Sequence, residues 1–195
     1  MPNYCVNEMK FADDDGLAAL RVIMGDAVFD FNKLIPYPAE YAERDRDYQI
    51  LCAAYKDGNA EAKAAAIGAF ISKYPHQEED ASGNKYIRIR DGYNSGGCDW
   101  CEENWGTKWN AIDPIIRADG VLTFYTAWTP PLKGLAALAR LLPGFTLTVE
   151  YFERGMSFCG GMTFCNCADA NDSEWQAGKL YGEWYCANYH GFKGG

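Results

Sequence analysis

The sequence predicts an α+β fold in which helices pack on an antiparallel sheet. Residues 4–11, 121–128 and 145–152 alternate apolar and polar side chains, which is the period of a half-buried strand. The segments from 13 to 25 and from 132 to 142 instead carry apolar residues at helical spacing. The two kinds of segment follow one another along the chain, and that order is typical of a sheet covered by its own connecting helices.

The N-terminal part begins with the strand YCVNEMKF at residues 4–11. The three aspartates at 13–15 place carboxylates at the start of a helix, where the helix dipole favours negative charge. Gly25 suits the end of that helix, because glycine adopts the backbone conformation of a C-terminal cap. We predict that FDFNKLIP, residues 29–36, forms a second short strand closed by Pro36.

Residues 40–92 are predicted to form a helical-hairpin insertion. Two sets of apolar residues recur there at helical spacing: Tyr48, Leu51, Cys52 and Tyr55 in the first, and Ile67, Phe70, Ile71 and Tyr74 in the second. DGNA, residues 57–60, supplies the turn between them, and Pro75 ends the second helix.

The C-terminal half continues with a strand at 121–128, a helix that ends at Pro143 and Gly144, and a strand at 145–152. A last strand, from Met156 to about Phe164, pairs with its predecessor across a turn that contains glycine.

Without the insertion and the last strand, the order is that of a βαββαβ ferredoxin-like sandwich. We therefore expect a single domain over 1–195. Its ferredoxin-like core covers about 1–39 and 93–167 and carries an extra C-terminal strand, and an irregular tail covers 168–195.

The composition argues against several classes of protein. Eighteen Lys and Arg against 27 Asp and Glu give a net charge of −9, which repels a phosphate backbone and disfavours nucleic acid as a partner. The N-terminus lacks a basic segment followed by an apolar run, and no apolar stretch is long enough to cross a membrane. We expect a cytoplasmic protein whose eight cysteines stay reduced.

Four segments together resemble one protein family. They are MPNYC-x-N at residues 1–7, FDFNKLIP at 29–36, NWGTKWNA at 104–111 and F-x-TAWTPP at 124–131. In this order they are similar to the YubB-like (Api-like) family of uncharacterised bacteriophage and conjugative-plasmid proteins. The resemblance implies a ferredoxin-like domain and a mobile-element accessory role, but no established activity or catalytic residues.

Catalytic motifs do not stand out. The chain has two histidines, His76 and His190, and neither is placed for a nucleophile–base pair. The glycine-rich stretches GYNSGG and CGG lack the lysine of a phosphate-binding loop. We predict that the protein is not an enzyme and that it uses no cofactor.

A zinc-stabilised module is an alternative interpretation. Cys98 and Cys101 have the spacing of half a zinc site, and Cys159, Cys165 and Cys167 offer further thiolates. Their spacing is poor for the second half, so we expect no metal.

The aromatic stretch CDWCEENWGTKW, residues 98–109, is the candidate partner-binding surface. If NWGTKW is a strand, Trp105 and Trp109 lie on one face and Trp128 ends a neighbouring strand. Tryptophan dominates the energetics of protein interfaces, although an alternative is that these indoles only cap the core. The predicted partner-binding residues are Asp99, Trp100, Glu102, Glu103, Trp105, Lys108, Trp109 and Trp128.

We therefore expect a non-catalytic protein that binds and inhibits a bacterial protein, above all a host defence complex such as CRISPR. The main alternative is a nucleic-acid or nucleotide binder, because a ferredoxin-like sheet can present aromatic side chains to single-stranded RNA. The strands VLTFYTAW and FTLTVEYF lack the cations that this role requires.

Overall fold

The computed structural model describes residues 3–165 and the backbone of a strand at 173–177. The chain divides into two compact units, which we call the sheet unit (residues 1–36 and 99–195) and the insertion unit (residues 37–98). The elements are β1 Tyr4–Phe11, α1 Asp14–Met24, α2 Ala39–Asp57, α3 Ala60–Lys73, β2 Gln77–Glu79, β3 Lys85–Ile87, α4 Gly97–Asn104, β4 Ile112–Ile116, β5 Leu122–Ala127, α5 Leu132–Leu141, β6 Thr146–Glu153, β7 Phe158–Cys165 and β8 Ser173–Ala177.

The sheet unit contains a six-stranded antiparallel sheet with the strand order β4-β5-β1-β6-β7-β8. Its first four strands are connected in the order β1-α1-β4-β5-α5-β6, which is the βαββαβ order of a ferredoxin-like sandwich. β7 and the backbone of β8 extend this sheet beyond β6.

The core lies against one face of this sheet. Cys5 and Met9 of β1 are fully buried, and Met9 faces Leu122 of β5 on one side and Val149 of β6 on the other. The buried residues of α1 and α5 complete the core: Leu20, Met24, Leu135 and Leu138.

Helix α1 begins and ends as its sequence predicts. The Asp13 carboxylate accepts a 3.0 Å hydrogen bond from the Gly16 amide, which satisfies one of the free donors at the helix start. Gly25 has a φ of 62° and donates its amide to the Arg21 carbonyl. A left-handed φ at this position favours glycine.

The predicted strand at residues 29–36 is wrong. The segment instead contains a 3-10 turn at Phe31–Lys33, in which the Asp30 carboxylate accepts a 2.8 Å hydrogen bond from the Asn32 amide. A side chain that bonds its own neighbouring backbone offers an alternative to a strand ladder. The second strand of the ferredoxin order is β4, which follows the insertion.

The insertion unit contains helices α2 and α3 and a two-stranded hairpin formed by β2 and β3. Phe70 of α3 is 5% exposed and lies edge-on to Tyr48 of α2, with ring centroids 6.0 Å apart. The Arg44 guanidinium lies 5.0 Å from the centre of the Tyr74 ring, which places a cation over an aromatic face. None of the helices in the described residues combines the length and the apolar character needed to cross a bilayer.

Candidate partner-binding surface

The first part of the aromatic stretch is a helix, α4. Glu102 and Glu103 are both exposed on it and lie about 100° apart around its axis. Asp99 is also exposed, whereas Cys101 is buried. Helix α4 therefore presents three carboxylates to the solvent.

Trp105 belongs to the core. It is 3% exposed, and its indole N–H donates a 2.9 Å hydrogen bond to the Ile35 carbonyl oxygen. Its ring packs beside Phe31, and Trp100 lies edge-on to it with centroids 5.5 Å apart. The assignment of Trp105 to the binding surface is therefore wrong, because a buried indole cannot contact a partner, and Trp100 is half-buried behind it.

Trp109 and Trp128 are the exposed tryptophans among the described residues, each with 36% of its surface accessible. They lie on segments that hydrogen bonds join directly. Thr107 Oγ1 donates to the Ala127 carbonyl at 3.1 Å, and Thr129 Oγ1 donates to the Gly106 carbonyl at 2.8 Å. The structure therefore holds these two segments side by side, in a loop rather than in the strand predicted for NWGTKW.

A second set of hydrogen bonds anchors the loop from behind. The Asn110 amide nitrogen donates to the Asp30 carboxylate at 2.6 Å, and its oxygen accepts from the Phe31 amide at 2.9 Å. These bonds lie directly next to Trp109 in the chain. Asp30 and Asn110 were missed as positioning residues, although FDF and KWN occur in two of the segments that carry the family resemblance.

Trp128 is anchored in a similar way. Its backbone amide donates to the Asn3 carbonyl at 3.0 Å, and the buried Thr126 accepts a 2.9 Å hydrogen bond from the side chain of Asn7. The hydroxyl of Thr126 in turn donates to the Thr129 carbonyl at 2.8 Å. Trp128 thus projects from a rigid support, and fixed aromatic side chains lose little entropy on binding.

Charged groups border the two exposed tryptophans. Lys108 lies 3.4 Å from the Glu102 carboxylate in an exposed ion pair. Lys133 donates to the Glu103 carbonyl at 2.8 Å, where a cation also suits the C-terminal end of a helix. Within the part of the chain that the structure describes, the carboxylates of Asp99 and Glu103 have no ion-pair partner.

We call the exposed residues of this region the tryptophan surface: Asp99, Glu102, Glu103, Lys108, Trp109 and Trp128. It contains six of the eight residues predicted from the sequence, without the buried Trp105 and the half-buried Trp100. The hydrogen bonds around Thr107 and Thr129 bring the two aromatic members together.

The cysteines do not form a metal site in the described residues. No group of three or more His, Cys, Asp or Glu side chains there has the arrangement to hold a metal ion. Cys98 and Cys101 lie on α4, and Cys159 and Cys165 lie on β7, while Cys167 is outside the described residues.

Within the described residues, the sheet face opposite the core carries few free cations. Tyr4 and Tyr125 lie on it in edge-to-face contact, with centroids 6.1 Å apart. The Arg117 guanidinium at its border is bound to the carboxylates of Glu8 at 2.9 Å and Asp119 at 2.7 Å. An arginine neutralised in this way does not provide a phosphate site.

Comparison with known proteins agrees with this architecture. Residues 104–183 match the family model described as the ferredoxin-like domain in Api92-like protein. This part of the chain is therefore similar to that ferredoxin-like domain, and the structure is mixed α+β, built on an antiparallel sheet.

A similar solved structure is the crystal structure of a protein api92 from Yersinia pseudotuberculosis. It shares 11% identity over 91% of this chain and 99% of that chain, with a TM-score of 0.44. No curated protein matches the chain.

Proposed function

We propose that this protein is a non-catalytic accessory protein of a bacteriophage or conjugative plasmid that binds a bacterial protein through the tryptophan surface. Its target is a host defence complex in the bacterial cytoplasm, which it inhibits by occupying a surface that the complex needs. CRISPR effectors and restriction enzymes are the first complexes to test.

The exposure of Trp109 and Trp128 carries this proposal. Each indole leaves more than a third of its surface accessible, although the same loop buries Trp105 almost completely. An exposed tryptophan costs apolar hydration free energy that a partner would recover, and aromatic anchors of this kind dominate interface energetics. The hydrogen bonds behind both residues support binding without a large loss of conformational freedom.

The charges around the two indoles favour a basic partner. Asp99 and Glu103 offer carboxylates without ion-pair partners in the described residues, and the whole chain has a net charge of −9. Proteins that bind DNA or RNA present basic surfaces, and an acidic protein is steered toward them over long range. Defence complexes that act on nucleic acids have surfaces of this kind.

The mobile-element setting comes from the sequence resemblance to the YubB-like family. Accessory proteins of phages and plasmids act when foreign DNA enters a cell that defends itself. An inhibitor of a defence complex needs an accessible contact surface and no catalytic machinery of its own.

The test uses purified full-length protein and purified defence complexes. Each complex is mixed with the protein, co-elution is measured by size-exclusion chromatography, and cleavage of target DNA is measured with and without the protein. We expect one complex to co-elute and to lose activity, and we expect the doubly substituted Trp109→Ala, Trp128→Ala variant to do neither.

The control removes exposed apolar surface elsewhere in the sheet unit. Val22 on α1 is 84% exposed and Leu141 on α5 is 51% exposed, so Val22→Ala with Leu141→Ala makes a matched double variant. It should bind as the unchanged protein does. Equal binding by both double variants would contradict the assignment of the surface, and no binding to any complex would count against an anti-defence role.

A further inference from the structure

A cavity of about 340 Å³ opens at the β4 edge of the sheet, on the face opposite the core. Among the described residues, its lining comprises Tyr4, Ile112, Asp113 and Tyr125. Tyr4 and Tyr125 are 49% and 38% exposed, and their ring planes meet at 61°. The cavity therefore has two aromatic walls, an apolar wall and one carboxylate.

The backbone of β4 turns the carboxylate out of the regular ladder. Ile112 pairs with Tyr125 of β5, but the register shifts before Ile115, and Asp113 between them has a φ of 47°. An irregularity of this kind points a side chain away from the direction that strand alternation gives it. Pro114 follows directly, so this edge does not offer a continuous ladder to another strand.

The polar groups of the cavity have no partner within the described residues. The Asp113 carboxylate and the hydroxyls of Tyr4 and Tyr125 make no hydrogen bond or ion pair there. The nearest basic residue after β4 in the chain is Arg117, which binds Glu8 and Asp119 instead. The cavity thus combines one carboxylate with two exposed aromatic rings.

We infer that this cavity binds the side chain of an arginine from a basic protein partner. A guanidinium is planar and weakly hydrated, so it stacks on an aromatic ring and at the same time donates two hydrogen bonds to a carboxylate. A lysine ammonium gains the attraction of the rings but not the paired hydrogen bonds. A nucleotide would stack on the rings as well, but its phosphate would be repelled by Asp113 and by the chain's net charge of −9.

The cavity lies next to the tryptophan surface in the fold. Tyr4 follows Asn3, whose carbonyl accepts from the Trp128 amide, and Ile112 is three residues beyond Trp109. A partner that covers Trp109 and Trp128 would therefore reach the cavity with an adjacent arginine. The protein nature of the partner rests on the proposed function, whereas the preference for a guanidinium rests on the cavity alone.

The experiment titrates the full-length, ¹⁵N-labelled protein with Nα-acetyl-arginine methylamide and follows the amides of Asp113 and Tyr125 by NMR. The matched probes are the citrulline analogue, which has the same shape without the charge, the lysine analogue and adenosine monophosphate. We expect saturable shifts at both amides with the arginine probe. Binding of the citrulline analogue should be at least roughly tenfold weaker, because only the charged group makes charge-assisted hydrogen bonds.

Variants test the residues. Asp113→Asn should weaken binding of the arginine probe about tenfold, and Tyr125→Leu should weaken it by a similar factor. Asp26→Asn, at another exposed carboxylate, should leave it unchanged. The ¹⁵N spectrum of each variant reports directly whether it remains folded.

Equal binding of the arginine and citrulline probes, tighter binding of adenosine monophosphate, or absence of shifts with every probe would each overturn the inference. The result is independent of the defence-complex experiment. Binding of the arginine probe without any co-eluting complex would reject only the proposed function. Co-elution that depends on Trp109 and Trp128, without probe binding, would reject only the arginine cavity.

Discussion

The indole N–H of Trp105 donates a 2.9 Å hydrogen bond to the carbonyl oxygen of Ile35, 70 residues earlier in the chain. The same two segments are joined again by Asp30 and Asn110. FDFNKLIP and NWGTKWNA, which carry much of the family resemblance, are therefore in direct contact in the fold. Their role in the fold is to hold the loop that exposes Trp109.

The first prediction concerns the difference between the buried and exposed tryptophans. Trp105→Ala should lower the free energy of unfolding by about 3–5 kcal/mol, because it leaves a large cavity. Trp105→Phe should cost about 1–3 kcal/mol through the lost hydrogen bond and the smaller ring. Trp109→Phe and Trp128→Phe should stay within about 0.5 kcal/mol of the unchanged protein.

Urea unfolding followed by circular dichroism measures these differences. Trp109→Phe is the control for Trp105→Phe, since the chemical change is the same and only the burial differs. An equal loss of stability in both variants would contradict the division into a core tryptophan and a surface tryptophan.

The second prediction exchanges the partners of one hydrogen bond. In the unchanged protein the Asp30 carboxylate accepts a 2.6 Å hydrogen bond from the Asn110 side-chain amide. Asn110→Asp replaces this donor with a second carboxylate and should lower the free energy of unfolding by about 1–3 kcal/mol. Adding Asp30→Asn to Asn110→Asp restores one donor and one acceptor. The double variant should therefore recover at least half of the loss.

A double-mutant cycle on urea unfolding measures this recovery. Neighbouring residues in one hydrogen-bond network show interaction energies of about 0.5–3 kcal/mol, whereas the effects of substitutions at independent residues on the free energy of unfolding add. Strict additivity of Asp30→Asn and Asn110→Asp would show that this pair does not hold the loop.

Much of the sheet follows from the sequence, because alternation is a local signal that matches alternating burial. The prediction of a strand at 121–128 corresponds to β5, Leu122–Ala127, and that at 145–152 corresponds to β6, Thr146–Glu153. The helix between them is also where its apolar spacing predicts it, as α5. These elements bury one face against the same core, so local pattern and tertiary packing agree.

The remaining elements depend on contacts that are distant in sequence. Residues 29–36 have the composition of a buried strand, but Asp30 and Asn110 turn the backbone there into a 3-10 turn. β4, with the sequence IDPII, contains a proline and a register shift, so it lacks the pattern of a strand. The hairpin of β2 and β3 is polar and exposed and carries no periodic apolar signal.

The sequence indicates which residues belong to this region, but it does not predict which of its tryptophans are exposed. Alternation in NWGTKW places Trp105 and Trp109 on one face, whereas the structure buries the first and exposes the second. The decisive contacts come from Ile35, Ala127 and Asn110, none of which the local pattern contains.

The third prediction concerns Glu78 in the insertion unit. The Arg88 guanidinium, at 2.9 Å, and the Tyr86 hydroxyl hold the pKa of Glu78 down at about 2, from an ordinary value of 4.5. A carboxylate whose pKa is lower in the folded state than in the unfolded state stabilises the fold at pH values above its unfolded-state pKa. This stabilisation is lost as the pH falls toward the folded-state pKa. The hairpin of β2 and β3 should therefore weaken between about pH 4.5 and pH 2.

The measurement is an NMR titration of the Glu78 side-chain carboxyl carbon. Arg88→Gln should raise the pKa of Glu78 back toward its ordinary value, because it removes the hydrogen bond and the charge with the largest effect. Added salt should raise it by a smaller amount, since exposed ion pairs are screened. A Glu78 pKa that does not respond to Arg88→Gln would show that the pair is not formed in solution.

The fourth prediction concerns the reactivity of Cys5. This thiol is fully buried on β1, and burial, with a further contribution from the charge of Glu153, raises its pKa well above the ordinary range. The thiolate is the form that reacts with alkylating reagents, so Cys5 should resist iodoacetamide at pH 8 in the folded protein. Among the described cysteines, Cys52, Cys98 and Cys165 are partly exposed and should react first.

Mass spectrometry of the digested protein, after timed alkylation, gives the rate at each cysteine. In urea all sites should react at comparable rates, because unfolding removes the burial that protects Cys5. Glu153→Gln offers a more specific comparison: it removes the negative charge, but an amide can only partly replace the carboxylate that accepts hydrogen bonds from the Gly155 and Met156 amides. The variant should therefore speed Cys5 labelling for two reasons that act in the same direction: loss of the negative charge lowers the pKa of Cys5, and weaker hydrogen bonds open the β6–β7 end of the sheet. Unchanged labelling would show that Glu153 does not protect the Cys5 thiol.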